Sequence, residues 1–320
     1  MCNERIPVIV IAGPTASGKT KLSIDLAKKF NGEIISADSK QIYKGMDIAT
    51  AVPSIVERAG IPHHLMAFLD ADNAFSVADY VKMAKKVIEG INKRGKTAII
   101  TGGTGLYIDS LLNNIEFSEI KSDPKLRAQL REYAEKNGRR ALLSMLYEID
   151  EEYAGKLHEN DVLRIIRAIE IYKITGKTMT EQLVLSRRNS RIYDSCIIGL
   201  DYKNRKLLYD RINRRVDQMV EMGIIEEARS FSKQDLSKTA FSAIGHKELR
   251  GYLNGDEALS DALERLKRET RRYAKRQLTW FRKNSEIYWI YIDEMKDYAD
   301  VLDAAVKIID DSGILNKTSI

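Results

Sequence analysis

The sequence predicts an α/β fold in which a parallel sheet with crossover helices is interrupted by an all-helical insertion. Two observations predict it. Short apolar, β-branched runs that end near glycine alternate with helical periodicity over the first 115 residues. A stretch of roughly 75 residues then keeps helical periodicity without a strand, and strand character returns after it.

The elements follow in order. Ile6–Ala12 (IPVIVIA) is a short apolar run ending at a glycine, the pattern of a strand buried on both faces. Lys21–Phe30 carries Leu22, Leu26 and Phe30 at helical spacing. Glu33–Ala37 is a second strand, and Ser76–Arg94 a helix whose start pairs Ser76 with Asp79 as a capping box. Thr97–Thr101 is a third strand, again followed by glycines. In the helical stretch, Asp123-Pro124 opens a helix with Leu126 and Leu130 on one face, and Gly138 and Gly176 punctuate the rest. Ser195–Leu200 and Ile287–Ile292 restore the strand pattern. The expected division is a first core part at 1–115, a helical insertion at 116–192, and a second core part at 193–320 with basic C-terminal helices. The tail beyond Gly313 is expected to fray.

Composition narrows the class. The 320 residues, 44% hydrophobic and 31% charged, suit one large domain or two unequal ones. No apolar run approaches the roughly 20 residues that span a bilayer, and Met1–Arg5 leads into only a short strand, unlike a signal peptide. Two cysteines, Cys2 and Cys196, support neither a disulfide framework nor a zinc site. A cytoplasmic monomer is expected, with no membrane partner. The net charge of +6 is uneven: residues 264–283 hold nine Lys/Arg against two Glu, a local +7. Such a segment attracts polyanions, although a solvated helix face would look the same.

Gly13-Pro14-Thr15-Ala16-Ser17-Gly18-Lys19-Thr20 fits G-x-x-x-x-G-K-[ST] between a strand and a helix, the context a phosphate loop requires. The core is therefore expected to be P-loop NTPase-like. Glycines let backbone N–H groups curl around phosphate oxygens, and the helix N-terminus adds partial positive charge. Lys19 offers a point charge and Thr20 a hydroxyl ligand for Mg²⁺. Asp38, after the second strand, falls on the same rim, where a carboxylate can bind metal or act as a general base; a turn aspartate is the plainer alternative. Thr104, in the glycine-rich turn after the third strand, brings a hydroxyl there too. Arg164 with Arg167, and Arg211 with Arg215, are spaced to share helix faces and could grip phosphate or form surface ion pairs. His63 and His64 point to opposite sides of an extended chain and read as structural. A phosphate loop names a ligand class, so NTPase, kinase and group transferase stay open; residue chemistry alone points to a small-molecule kinase.

In this order the motifs resemble those of the tRNA dimethylallyltransferases, or tRNA isopentenyltransferases, of the bacterial type. The matching stretches are GPTASGKT (13–20), SADSKQIYKGMDIATA (36–51), PHHL (62–65), GGTGLY (102–107), SDPKLR (122–127), NDVLRIIRAIE (160–170), RINRRVDQM (211–219), AIGHKEL (243–249) and AKRQLTWFR (274–282). The resemblance implies transfer of the dimethylallyl group of dimethylallyl diphosphate to N6 of adenosine 37 beside the tRNA anticodon. It implies a phosphate loop turned to the donor diphosphate, and an insertion that helps clasp the anticodon stem-loop. By matched position, Asp38 is the base, Thr104 helps hold the amine, and Lys19, Arg215 and the 13–20 loop bind diphosphate, with Thr20 on Mg²⁺. Asp38, Ser39, Lys40, Gln41, Thr104, Arg127, Leu163, Arg164, Ile165, Ile166 and Arg167 match tRNA contacts. Lys275 and Arg276 match more weakly, as does Arg282. The C-terminal zinc-finger extension of many eukaryotic members is not matched. Alternatives are an adenine-nucleotide isopentenyltransferase, whose small acceptor needs no clasp, a P-loop kinase, or an RNA-binding NTPase switch.

Overall fold

The computed structural model describes residues 5–117, 120–232, 236–241 and 243–315. Cys2 and the first four residues, like 316–320 of the tail, lie outside the described residues. The chain divides into two compact units, residues 1–112 with 191–320, and residues 113–190. The insertion thus spans 113–190 where the sequence suggests 116–192.

In the larger unit the order begins with β1 (Ile6–Ala12), α1 (Lys19–Lys29), β2 (Gly32–Ser36) and the one-turn helices α2 (Asp47–Thr50) and α3 (Ile55–Arg58). Then follow β3 (His63–His64), α4 (Val77–Lys93), β4 (Thr97–Gly102) and α5 (Gly105–Leu112). The smaller unit holds α6 (Pro124–Asn137), α7 (Arg139–Ile149), α8 (Glu151–Ala154), α9 (Val162–Thr175) and α10 (Met179–Ser186). The larger unit resumes with β5 (Tyr193–Asp201), α11 (Arg205–Glu221), α12 (Ile224–Phe231), α13 (Lys238–Phe241), α14 (His246–Asn254), α15 (Leu259–Phe281), β6 (Ile287–Tyr291) and α16 (Tyr298–Ser312).

Six strands form one parallel sheet in the order β3-β2-β4-β1-β5-β6. Both faces of the central strands are buried, as their unbroken apolar runs require. Ile9, Ile11, Ile34 and Ile99 pack with Leu22 and Leu26 of α1 and with Val301, Ala305 and Ile309 of α16. The alternate residues Val8, Val10, Ile35 and Ile100 are also buried, and by strand alternation they face the other way, where α4 packs on β2 and β4. The capping box at Ser76 and Asp79 forms as expected, a device whose loss costs about 1 kcal/mol. His63 and His64 are structural. His63 Nδ1 bonds the Ile61 carbonyl at 2.8 Å, and His64 Nε2 meets Glu33 Oε2 at 2.7 Å.

The smaller unit has its own core, with Leu130, Leu142, Leu146, Ile165, Ile166 and Ile169 at its centre. Asp123 caps α6 ahead of Pro124, and Gly176 ends α9 in the left-handed conformation at φ 70°. One ion network stiffens it. Glu170 on α9 is fully buried and accepts from Arg127 at 2.8 Å through both oxygens, from Arg167 at 2.5 Å and from the Asp123 amide. Burial pushes the Glu170 carboxyl up, but the hydrogen bonds from Arg127, Arg167 and Asp123 outweigh it and hold the group at about 2.

This network makes a stability prediction. Glu170→Ala leaves two guanidinium groups without their acid and should destabilise the helical unit by about 3–5 kcal/mol. Because the folded pKa lies below the unfolded one, the wild-type contribution is complete above pH ~4.5 and fades as pH falls towards ~2. Hydrogen exchange of the α9 amides in wild type and variant, at neutral and acid pH, measures it.

Candidate active site at the strand ends

Register builds the site. β4 pairs with β1 so that Gly102 faces Ala12, and with β2 so that Thr101 faces Ser36. Three loops therefore leave the carboxyl ends of adjacent strands side by side: residues 13–18, 37–41 and 103–104. That rim is where open α/β sheets take ligands.

The 13–18 loop has the phosphate-loop form. Gly13 sits at φ 146° and a Cβ there would lie 2.6 Å from the Leu200 carbonyl, so no other residue fits. Lys19 opens α1, and its Nζ donates to Pro14 O at 2.7 Å. Arg211 of α11 donates to Ala16 O at 3.0 Å, and the Thr15 amide donates to Gln277 Oε1 at 2.9 Å. Of the arginine pair foreseen on α11, Arg211 thus supports the loop from outside while Arg215 reaches the cavity. Thr20 is exposed at the first turn of α1.

Asp38 Oδ1 accepts from the Lys40 amide at 2.9 Å, a turn-aspartate bond, and among the described residues Oδ2 accepts no hydrogen bond. The turn-aspartate bond forms, and Asp38 also lines the cavity described below. Thr104 is locked to the same loop. Its N–H donates to Ala37 O at 3.0 Å and its Oγ1 accepts from the Ser39 amide at 2.9 Å. Lys40 Nζ donates to Thr239 O at 2.7 Å. Gln41 uses its amide on the protein, accepting from Ser36 and donating to the Thr50 and Ala51 carbonyls, so its side chain is a brace for the loop.

These loops border a cavity of about 260 Å³ with two characters. Lys19, Asp38 and Arg215 line its charged part; Ala49, Val216, Met219, Ile244 and Leu266 line an apolar part, with Tyr273, Arg276 and Gln277 completing the wall. Burial pushes the Lys19 ammonium down to about 7; the Asp38 carboxylate opposes this and Arg215 adds to it. Burial lowers Arg215 and Lys40 too, with Asp38 again opposing. Ala49 and Thr50 belong to α2, a single turn held from behind. Glu227 accepts from the Ile48 and Ala49 amides at 2.7 and 3.0 Å and bonds His246 Nε2 at 2.8 Å.

Several residues expected at an RNA are differently employed. Ile165 and Ile166 are buried in the core of the helical unit, so their side chains are unavailable as contacts, whereas Leu163 and Arg164 on the same helix are exposed. Arg127 and Arg167 are tied to Glu170, and Arg282 to the buried Asp201 at 2.7 Å. Much of the basic stretch is also paired internally, Arg265 with Glu257, Lys267 with Asp217 and Arg272 with Glu269. Among the described residues Lys275 and Arg276 carry no ion pair, and both are exposed. Sequence reasoning missed Gln277, Tyr273 and the apolar lining. The available signal was Gln277 itself, a polar residue in the buried stripe Ala262, Leu266, Thr270, Ala274, Leu278 of α15.

The comparisons fit this geometry. A sequence profile of the family described as IPP transferase matches residues 41–284. The chain belongs to the IPP transferase family. Among its relatives, a tRNA dimethylallyltransferase from Caldanaerobacter subterraneus subsp. tengcongensis is 46% identical over 299 residues, 92% of this chain and 95% of that protein. The crystal structure of the full-length tRNA isopentenylpyrophosphate transferase of Bacillus halodurans superposes with a TM-score of 0.72 at 40% identity, covering 98% of both chains. That of a eukaryotic dimethylallyltransferase acting on tRNA gives 0.80 at 33% identity, covering 95% of this chain and 79% of the other. No helix of this IPP transferase-family chain is long and apolar enough, among the described residues, to cross a membrane.

The depressed Lys19 makes anion binding pH-dependent. Its free-site pKa of about 7 lies below the ordinary 10.5, and a bound anion restores the charge. Affinity for inorganic diphosphate should thus be greatest below pH ~7 and fall by up to about tenfold per pH unit above it, after correction for the anion's own titration. Calorimetry at pH 8 in buffers of different ionisation heat should register proton uptake, and Lys19→Arg should abolish it.

Proposed function

We propose that this chain is a tRNA dimethylallyltransferase, moving the dimethylallyl group of dimethylallyl diphosphate to N6 of adenosine 37 next to the anticodon and releasing diphosphate. The observation that carries the reading is the mixed lining of one cavity: the cations Lys19 and Arg215, the carboxylate of Asp38, and the apolar side chains of Ala49, Val216, Met219, Ile244 and Leu266. A donor with a charged head and a hydrocarbon tail uses both the cations and the apolar side chains. The names of the relatives point the same way.

The reaction is an in-line displacement. N6 of the adenine attacks C1 of the donor, the new C–N bond forms as C1–O breaks, and the electron pair leaves on diphosphate. The attacking amine is weak because its lone pair is delocalised into the ring. Asp38 Oδ2 accepts its proton as the bond forms, while Thr104 helps orient the amine. A positioned base of this kind contributes about 10²–10⁴-fold. Lys19, Arg215 and the loop amides of 13–20 other than Pro14, which has no N–H, and Thr15, whose N–H goes to Gln277, stabilise charge on the leaving oxygens; one preorganised donor of this type is worth about 3–4 kcal/mol. The target base must leave its stack to enter the cavity, at a few kcal/mol, offset by phosphate contacts elsewhere on the tRNA.

Mg²⁺ suits the donor set. No three His, Cys, Asp or Glu side chains cluster for a metal among the described residues, whereas the exposed Thr20 hydroxyl stands beside the phosphate loop. Mg²⁺ commonly binds through few protein ligands, with water and substrate phosphates supplying the rest. Thr20 would hold it, and its chemistry there is to neutralise charge on the departing diphosphate. Arg164, with Leu163, Lys275 and Arg276, supplies exposed contacts for the tRNA. The protein acts in the cytoplasm, where its tRNA substrate is made.

The decisive experiment incubates the protein with dimethylallyl diphosphate, Mg²⁺ and unmodified tRNA and analyses the nucleosides by mass spectrometry. N6-dimethylallyladenosine is expected; unaltered adenosine overturns the reading. In the same assay Asp38→Asn should lose about 10²–10⁴-fold in turnover while tRNA affinity holds. Near-normal turnover removes Asp38 as the base. Arg164→Ala should weaken tRNA binding and lower the slope of log affinity against log salt by about one. Fluorescence titration across salt concentrations reads both.

A further inference from the structure

We infer that Gln277 is a positioning residue that fixes the distance between the donor's phosphate loop and the loop that presents the acceptor amine. The inference rests on the proposed reaction. Gln277 is 5% exposed, on the inner face of α15, and its one planar amide touches both loops. Oε1 accepts from the Thr15 amide at 2.9 Å, and Nε2 donates to the Gly103 carbonyl at 3.0 Å. The orientation of the amide is fixed by its partners, since a backbone N–H can only donate and a carbonyl can only accept. Gly103 is shaped to this contact: a Cβ there would run into Nε2 of Gln277.

The chain of contacts continues to the chemistry. Thr104 follows Gly103 and is bonded to Ala37 O and the Ser39 amide, on either side of Asp38. The Tyr273 hydroxyl, one turn before Gln277 on α15, lies within reach of the Thr104 and Gln277 side chains. One helix therefore joins Thr15, in the loop proposed to hold diphosphate, to the loop that carries Thr104 and Asp38. In-line transfer needs the reacting atoms about 3–3.5 Å apart, and a misplacement of about 1 Å costs on the order of 10²-fold. Each substrate can still bind when the two loops shift relative to one another. The loss then falls on kcat.

Glutamate at this position separates positioning from folding. Ionised, it can accept from Thr15 N–H but turns a carboxylate oxygen against the Gly103 carbonyl. Protonated, it donates to that carbonyl and reproduces the amide. Burial next to a carbonyl raises such a carboxyl's pKa, bringing the switch into an assayable range. The test compares Gln277→Glu and Gln277→Met with wild type from pH 5.5 to 8.5, by kcat and by KM for dimethylallyl diphosphate. At pH 8, kcat of Gln277→Glu should be down by on the order of 10²-fold with the donor KM within a few fold, and the ratio to wild type should recover at the acid end. Gln277→Met should be slow at every pH. Gln277→Glu running parallel to wild type throughout, or a loss confined to KM, overturns the inference. Should neither variant fold, Gly103→Ala displaces the amide from the other side, and normal kcat there overturns it equally. If wild type itself transfers no prenyl group, the proposed reaction fails first; a wild type that transfers beside an indifferent Gln277→Glu sinks the positioning role alone.

Discussion

The pairing of β4 between β1 and β2 is the arrangement from which the site follows. Because all three run parallel and in close register, their ends open at one level, and three loops far apart in sequence become neighbours. None makes a site alone. The first gathers amides and an ammonium, the second brings a carboxylate, and the third braces that carboxylate's turn through Thr104. Helices α11 and α15 close the cavity from the other side with Arg215, Met219, Leu266 and Tyr273.

Electrostatics explains why this arrangement waits for an anion. Burial penalises both Lys19 and Arg215, Arg215 further disfavours the charge on Lys19, and Asp38 partly compensates both. In the proposed reaction a diphosphate would supply the missing negative charge, and part of its binding free energy would come from relieving a conflict within the protein. Charge building on the leaving group would then meet cations already in place.

Much of this was legible in the sequence, and the limits have physical causes. The phosphate loop, the strands and the position of Asp38 are local signals: glycine spacing, β-branched runs and a rim carboxylate, each readable within some ten residues. Gln277 belongs to a nonlocal relation, 262 residues from Thr15, and looks in sequence like a flaw in an apolar stripe. The apolar lobe was invisible for the same reason, since Val216, Ile244 and Leu266 resemble any other core residue. Arg127 was expected at an RNA from its matched position, and Arg167 also because a guanidinium suits phosphate. Glu170 supplies the nearer anion, and nothing in the spacing of charges tells a protein carboxylate from a phosphate as the partner. Ile165 and Ile166 came with the matched segment, in which only the outward positions can meet solvent.

The wall contributed by α2 carries one more implication. A single helical turn has no persistence of its own, because nucleation costs more than one turn returns. Here its amides are gripped by Glu227, which His246 in turn steadies, and neither of those two residues lines the cavity. The contour of that wall is thus set by a buried acid–imidazole couple behind the surface. A substitution at Glu227 or His246 could reshape the cavity without altering any residue that lines it.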